Sequence, residues 1–93
     1  MASKRNLKRD IDYLIADLIY DCYACMEEHP EKSSSDYEQI IDDIFTVKDS
    51  LLERINHYET QLHGRSRPYF LEIKKDLIAS VTEAYEKLNK LGC

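Results

Sequence analysis

Apolar positions recur every three or four residues along three stretches of this chain, with helix-breaking residues between them. In the first stretch, Leu7, Ile11, Leu14, Ile15, Leu18, Ile19, Cys22, Cys25 and Met26 fall on one broad stripe when plotted at about 100° per residue. In the second, Tyr37, Ile40, Ile41, Ile44, Phe45, Val47, Leu51, Leu52, Ile55, Tyr58 and Leu62 share a face. In the third, Phe70, Ile73, Leu77, Val81, Ala84, Leu88 and Leu91 are spaced by three or four. The interior breakers are Pro30, and Gly64 with Pro68. This punctuation predicts three long helices, over about residues 6–29, 36–63 and 67–91.

Local signals sharpen the ends. His29 precedes Pro30, and a residue before proline is pushed out of the helical region. Ser35-Asp36-Tyr37-Glu38 fits a capping box, in which the serine hydroxyl and the glutamate carboxylate each take a free amide. Asp36 also suits the positive end of the helix dipole. Gly64 follows Leu62 as a helix terminator would, and Pro68 stands in a first turn where its missing amide costs nothing. Both connections are short, about five to seven residues, so consecutive helices should be antiparallel neighbours. The expectation is an all-α, antiparallel up-down-up three-helix bundle, one domain over residues 1–93. Each helix would be roughly 35–40 Å long at about 1.5 Å per residue.

Composition supports that picture and narrows the function. A chain of 93 residues fits one domain, and 43% hydrophobic residues can fill one core. The net charge of −5 argues against general nucleic-acid affinity. No apolar run approaches the ~20 residues of a membrane span. Lys8, Arg9 and Asp10 interrupt any signal-peptide core after Met1, so the chain is expected in the cytoplasm, with no membrane partner. Three cysteines, an odd number, argue against a secreted disulfide scaffold.

The run Leu7-Lys8-Arg9-Asp10-Ile11-Asp12-Tyr13 through Asp21-Cys22, with Arg54-Ile55-Asn56-His57 and Tyr69-Phe70 later, carries a likeness that extends over most of the chain. It resembles a family of short all-helical proteins from Bacteroidales bacteria with no established activity. The chain departs from the family pattern in carrying Tyr58 where a proline would follow the histidine. The resemblance implies an all-helical, self-associating protein and assigns no functional residue.

Four features are candidates for function. The first helix has apolar residues on a second side: Tyr13, Ala16, Tyr20, Tyr23 and Ala24 lie opposite the core stripe, broken by Arg9 and Glu27 at the ends. A helix apolar on two sides is usually covered on two sides, and a three-helix bundle covers one. That back face is expected to be an interface, most simply of a two-fold homodimer, or with a further, unidentified protein.

Charge divides along the bundle axis. One end gathers nine bases (Lys4, Arg5, Lys8, Arg9, Arg54, Arg65, Arg67, Lys74, Lys75) against six acids, a net of +3. The other has three bases against eleven acids, a net of −8. Arg65-Ser66-Arg67 at a helix start is a candidate anion-binding site, through free amides, the dipole and two guanidinium groups. A nucleic-acid binder would show a larger basic excess and a recognisable motif.

Cys22 and Cys25, with His29 one turn further on, share one side of the first helix, and Cys93 falls at the same pole. Three thiolates and an imidazole would suit tetrahedral zinc. Against this, both helical cysteines lie in the core stripe, where cysteine behaves as a small hydrophobe. No cofactor is expected. Finally, Lys48 interrupts the apolar face of the second helix, and the antiparallel register places it near Asp17, an ion pair at the core edge. No set of convergent polar groups points to catalysis: the Ser33–Ser35 run lies in a cap, and no glycine-rich phosphate loop exists. The chain is expected to be a non-enzymatic bundle that works through self-association and protein–protein contact. A small anion- or nucleic-acid-binding protein using the basic pole is the alternative.

Overall fold

The computed structural model describes residues 4–58 and 66–92. Among these residues are three helices, α1 (Lys4–Glu28), α2 (Ser34–Asn56) and α3 (Ser66–Lys90), each packed against both others. The expected three-helix bundle is what the chain forms.

The apolar stripes become one core. Leu7, Ile11, Ile15, Leu18, Cys22 and Cys25 of α1 meet Tyr37, Ile40, Ile41, Ile44, Leu51 and Ile55 of α2. Phe70, Ile73, Leu77, Val81, Ala84 and Leu88 complete it from α3. Leu14, Ile19, Met26, Val47, Leu52 and Leu91, at the edges of the stripes, are only half-buried, and Phe45 is exposed. The core takes a narrower arc of each helix than the sequence stripes cover, because two neighbours shield only the side that faces them.

Side-chain ties define the register. Arg54 pairs with Asp76 at 2.7 Å and Lys87 with Asp43 at 4.0 Å. Eleven residues back along α2 thus match eleven forward along α3, so these helices are antiparallel. Lys74 pairs with Asp10 at 3.6 Å, and the Tyr85 hydroxyl donates to Asp21 at 3.0 Å. Here eleven residues forward match eleven forward, so α3 runs parallel to α1.

The helix ends differ from expectation in three places. First, α2 starts at Ser34, with Ser33 extended in the cap position (φ −66, ψ 124). Ser33 makes no side-chain capping bond; its hydroxyl meets that of Ser35 at 2.7 Å, so the Ser35–Glu38 capping box does not form. Asp36 does lie in the first turn, against the positive end of the dipole.

Second, α2 ends at Asn56, seven residues before the expected 63. The His57 amide donates to the Glu53 carbonyl at 2.9 Å and closes the last turn. Tyr58 leaves the helix and stacks on Tyr69 and Phe70 of α3, with ring centroids 5.1 and 5.2 Å away. The Tyr69 hydroxyl donates to the Arg54 carbonyl at 2.8 Å, one of the last four carbonyls that a helix leaves without a partner. Contact across the groove to α3 outweighs further helix. The expected positions from 59 to 63 lie outside the described residues, as does Gly64.

Third, the end of α3 is tied to the α1–α2 connection. The Lys32 ammonium donates to the Leu91 carbonyl, a cation at the negative end of the helix. Gly92 follows with φ +101, a left-handed conformation that glycine adopts without steric cost. Among the described residues, no helix is long and apolar enough to cross a membrane.

Candidate interaction surface

The back face of α1 is open. Tyr13, Tyr20 and Tyr23 are 71%, 74% and 54% exposed, Ala16 is exposed and Ala24 half-buried. The five residues lie opposite the core stripe of the same helix, so the bundle cannot cover them. The face is uneven. A hollow of ≈ 180 Å³ is lined by Tyr20, Tyr23, Ala24 and Glu27. Another of ≈ 260 Å³ is lined by Asp10, Tyr13, Leu14 and Lys74.

The neighbouring helices extend this surface. Lys48 pairs with Asp12 at 3.2 Å, which sets the Phe45–Lys48–Leu52 edge of α2 beside α1. The Lys74–Asp10 and Tyr85–Asp21 ties set the Leu71–Lys74–Ile78–Tyr85 edge of α3 on the opposite flank. Among the described residues, the exposed large hydrophobic side chains are Tyr13, Tyr20, Tyr23, Phe45, Leu71 and Ile78. Each lies on the back of α1 or on an edge that borders it. Apolar exposure concentrated on one side of a small bundle marks a contact surface. Phe45, Leu71 and Ile78 escape the sequence reading. Phe45 sits within an apolar stripe there, and Leu71 and Ile78, each next to a core residue (Phe70 and Leu77), fall outside the third stripe.

Lys48 does form an ion pair at the core edge, but with Asp12 rather than Asp17. Five residues at about 100° each turn the two carboxylates to different flanks of α1, and Asp12 is on the flank that faces α2. Asp17 and Asp21 instead lie towards α3. Asp21 accepts the hydroxyl proton of Tyr85, and burial followed by the Asp21 carboxylate raises the Tyr85 pKa from 10.0 to about 12. Tyr37 is the opposite case: it is buried, and among the described residues its hydroxyl has no hydrogen-bond partner.

The described members of the cysteine–histidine set, Cys22, Cys25 and His29, are not gathered into a metal centre. Cys22 is a free thiol in the core, and burial, with Asp21 nearby, raises its pKa. Cys25 is in a disulfide, and a cystine sulfur is not a thiolate ligand. His29 faces Glu31 at 3.3 Å at the surface. Cys93 lies outside the described residues. Among the described residues, no group of three or more His, Cys, Asp or Glu side chains could hold a metal ion.

At the basic pole, Arg65 and the side chains of Ser66 and Arg67 lie outside the described residues. Of the other bases expected there, Arg54 and Lys74 are paired with Asp76 and Asp10. A third hollow, ≈ 170 Å³, runs between α2 and α3 beside Ile44, Val47 and Ala84, with Lys87 bridging Asp43 and Glu83 at its rim. It falls short of the roughly 300 Å³ at which small-molecule sites begin. Searches of family models, of curated proteins and of solved structures find no match to this chain.

Proposed function

We propose that this protein is a non-enzymatic helical bundle that self-associates, and meets any further protein partner, through the back face of α1. The observation that carries this reading is the placement of exposed apolar side chains on the α1 side. Tyrosine suits such a surface, since it adds large contact area at small conformational cost while its hydroxyl stays in water. Alanines between the tyrosines allow a second helix to come close. The alternative, anion or nucleic-acid binding at Arg65-Ser66-Arg67, falls on side chains outside the described residues and rests on the sequence alone. For location, the sequence favours the cytoplasm.

The test is the mass in solution, by size-exclusion chromatography with light scattering. The expected result is a particle of about twice the 11.0 kDa chain mass. Tyr20→Glu, at an exposed helical position, should leave a folded monomer. An unchanged mass in that variant would refute the assignment of the face.

A further inference from the structure

The exposed face of α1 is ordered more tightly than an apolar patch requires. Arg9, Tyr13, Ala16, Tyr20, Tyr23 and Glu27 are spaced four, three, four, three and four residues apart. That is the spacing of a coiled-coil seam, on the side of α1 that its own bundle leaves open. Charged residues close both ends of the seam. Both are exposed, and neither takes part in an ion pair within the described residues.

The seam is complementary to itself when reversed. Arg9 and Glu27 each lie nine residues from Leu18, Tyr13 and Tyr23 each five, and Ala16 and Tyr20 each two. Two copies laid antiparallel, with the two-fold axis level with Leu18, therefore oppose Arg9 to Glu27, Tyr13 to Tyr23, and the small Ala16 to the large Tyr20. The two hollows of the face then receive tyrosines: one copy's Tyr13 faces the hollow at Tyr20–Glu27 of the other, and its Tyr23 faces the hollow at Asp10–Leu14. A parallel arrangement would set Arg9 on Arg9, Glu27 on Glu27, and Tyr20 on Tyr20.

The charges of α1 agree. Its first turn has no acid and its last turn no base, against the preference of a helix dipole. The α2 helix, with Asp36 in its first turn and Arg54 in its last, follows that preference. Lys4 and Arg5 open α1, and Glu27 and Glu28 close it. A lone helix is weakened by this distribution, whereas an antiparallel copy sets each basic start beside an acidic end. Asp17, flanking the seam near the axis, is a like-charge contact that opposes the pairing.

The geometry points to a second copy of this chain docked antiparallel on α1, centred level with Leu18 and closed at each end by an Arg9–Glu27 pair between protomers. This rests on the self-association reading above and specifies its register. Phe45 on one flank, and Leu71 and Ile78 on the other, widen the contact.

Charge reversal tests the register, read as the dimer dissociation constant by sedimentation equilibrium at low salt. Arg9→Glu or Glu27→Arg alone turns two attractions into two repulsions and should weaken the dimer about tenfold. The double variant R9E/E27R exchanges the pairs and should return affinity to within about threefold of the parent. Both reversals follow the helix dipole, so the fold should persist, and far-UV circular dichroism checks this. A dimer unmoved by the single reversals, or not restored by the double one, would overturn the register and leave self-association standing. A parent chain that stays monomeric at every concentration would overturn self-association, and the register with it.

Discussion

Tyr37→Phe should stabilise this protein, against the usual sign of a core substitution. Tyr37 is 1% exposed, and its ring packs in the core beside the other buried residues of α2. Among the described residues its hydroxyl has no protein partner. Burying an unpaired hydroxyl costs about 1–3 kcal/mol, from the hydrogen bonds with water that are lost and not replaced. Phenylalanine keeps the ring and removes one oxygen, so the void left is smaller than a methyl group. The expected gain is about 1 kcal/mol, and for a domain of this size each kcal/mol moves Tm by roughly 4–8 °C. Tyr85→Phe is the internal control. The same chemical change there removes a hydrogen bond to the Asp21 carboxylate, and bonds to charged groups contribute about 1.5–3 kcal/mol when well buried. Tyr85 is half-buried, so a loss nearer 1 kcal/mol is expected. The assay is urea unfolding followed by circular dichroism, at one protein concentration because the proposed self-association would couple stability to concentration. The two variants should move the midpoint in opposite directions with unchanged slope. A Tyr37→Phe protein no more stable than the parent would refute the argument, since it would mean that the hydroxyl is satisfied.

Two further predictions concern polar ties between helices. The Tyr85 pKa is raised from 10.0 to about 12, so the neutral phenol is favoured in the folded state. Its stabilising contribution is complete below pH 10 and is lost as pH rises towards 12. Asp21→Asn should pull the phenol midpoint down towards 10.0, read from phenolate absorbance, and a midpoint unmoved by the change would mean that Asp21 is not a cause. For Lys48, a double-mutant cycle with Asp12 should show coupling of about 0.2–1 kcal/mol, as partly exposed pairs do, while a cycle with Asp17 should be additive. Coupling to Asp17 and none to Asp12 would reverse the register assigned to α1 and α2.

Periodicity alone identified which side of each helix is buried. Ile11, Ile15, Leu18, Ile55, Ile73 and Leu77 are all at or near zero exposure, and each lies within a stripe read from three- and four-residue spacing. A helix turns by a constant angle, so linear spacing becomes a face without reference to any other part of the chain. The open tyrosine face of α1 was legible for the same reason. Tertiary structure decided what lies across each groove. Lys48 meets Asp12 and not Asp17, Tyr85 finds Asp21, and Tyr69 takes the Arg54 carbonyl as α2 ends at Asn56. These choices depend on which flank of each helix meets which neighbour and at what level, which packing of the whole core sets and the spacing within one helix leaves free. The same holds for chemistry at the acidic pole, where two cysteines with one sequence signature end as a buried thiol and a disulfide. Spacing places side chains on a face of one helix; only the assembled bundle determines which neighbour each of them reaches.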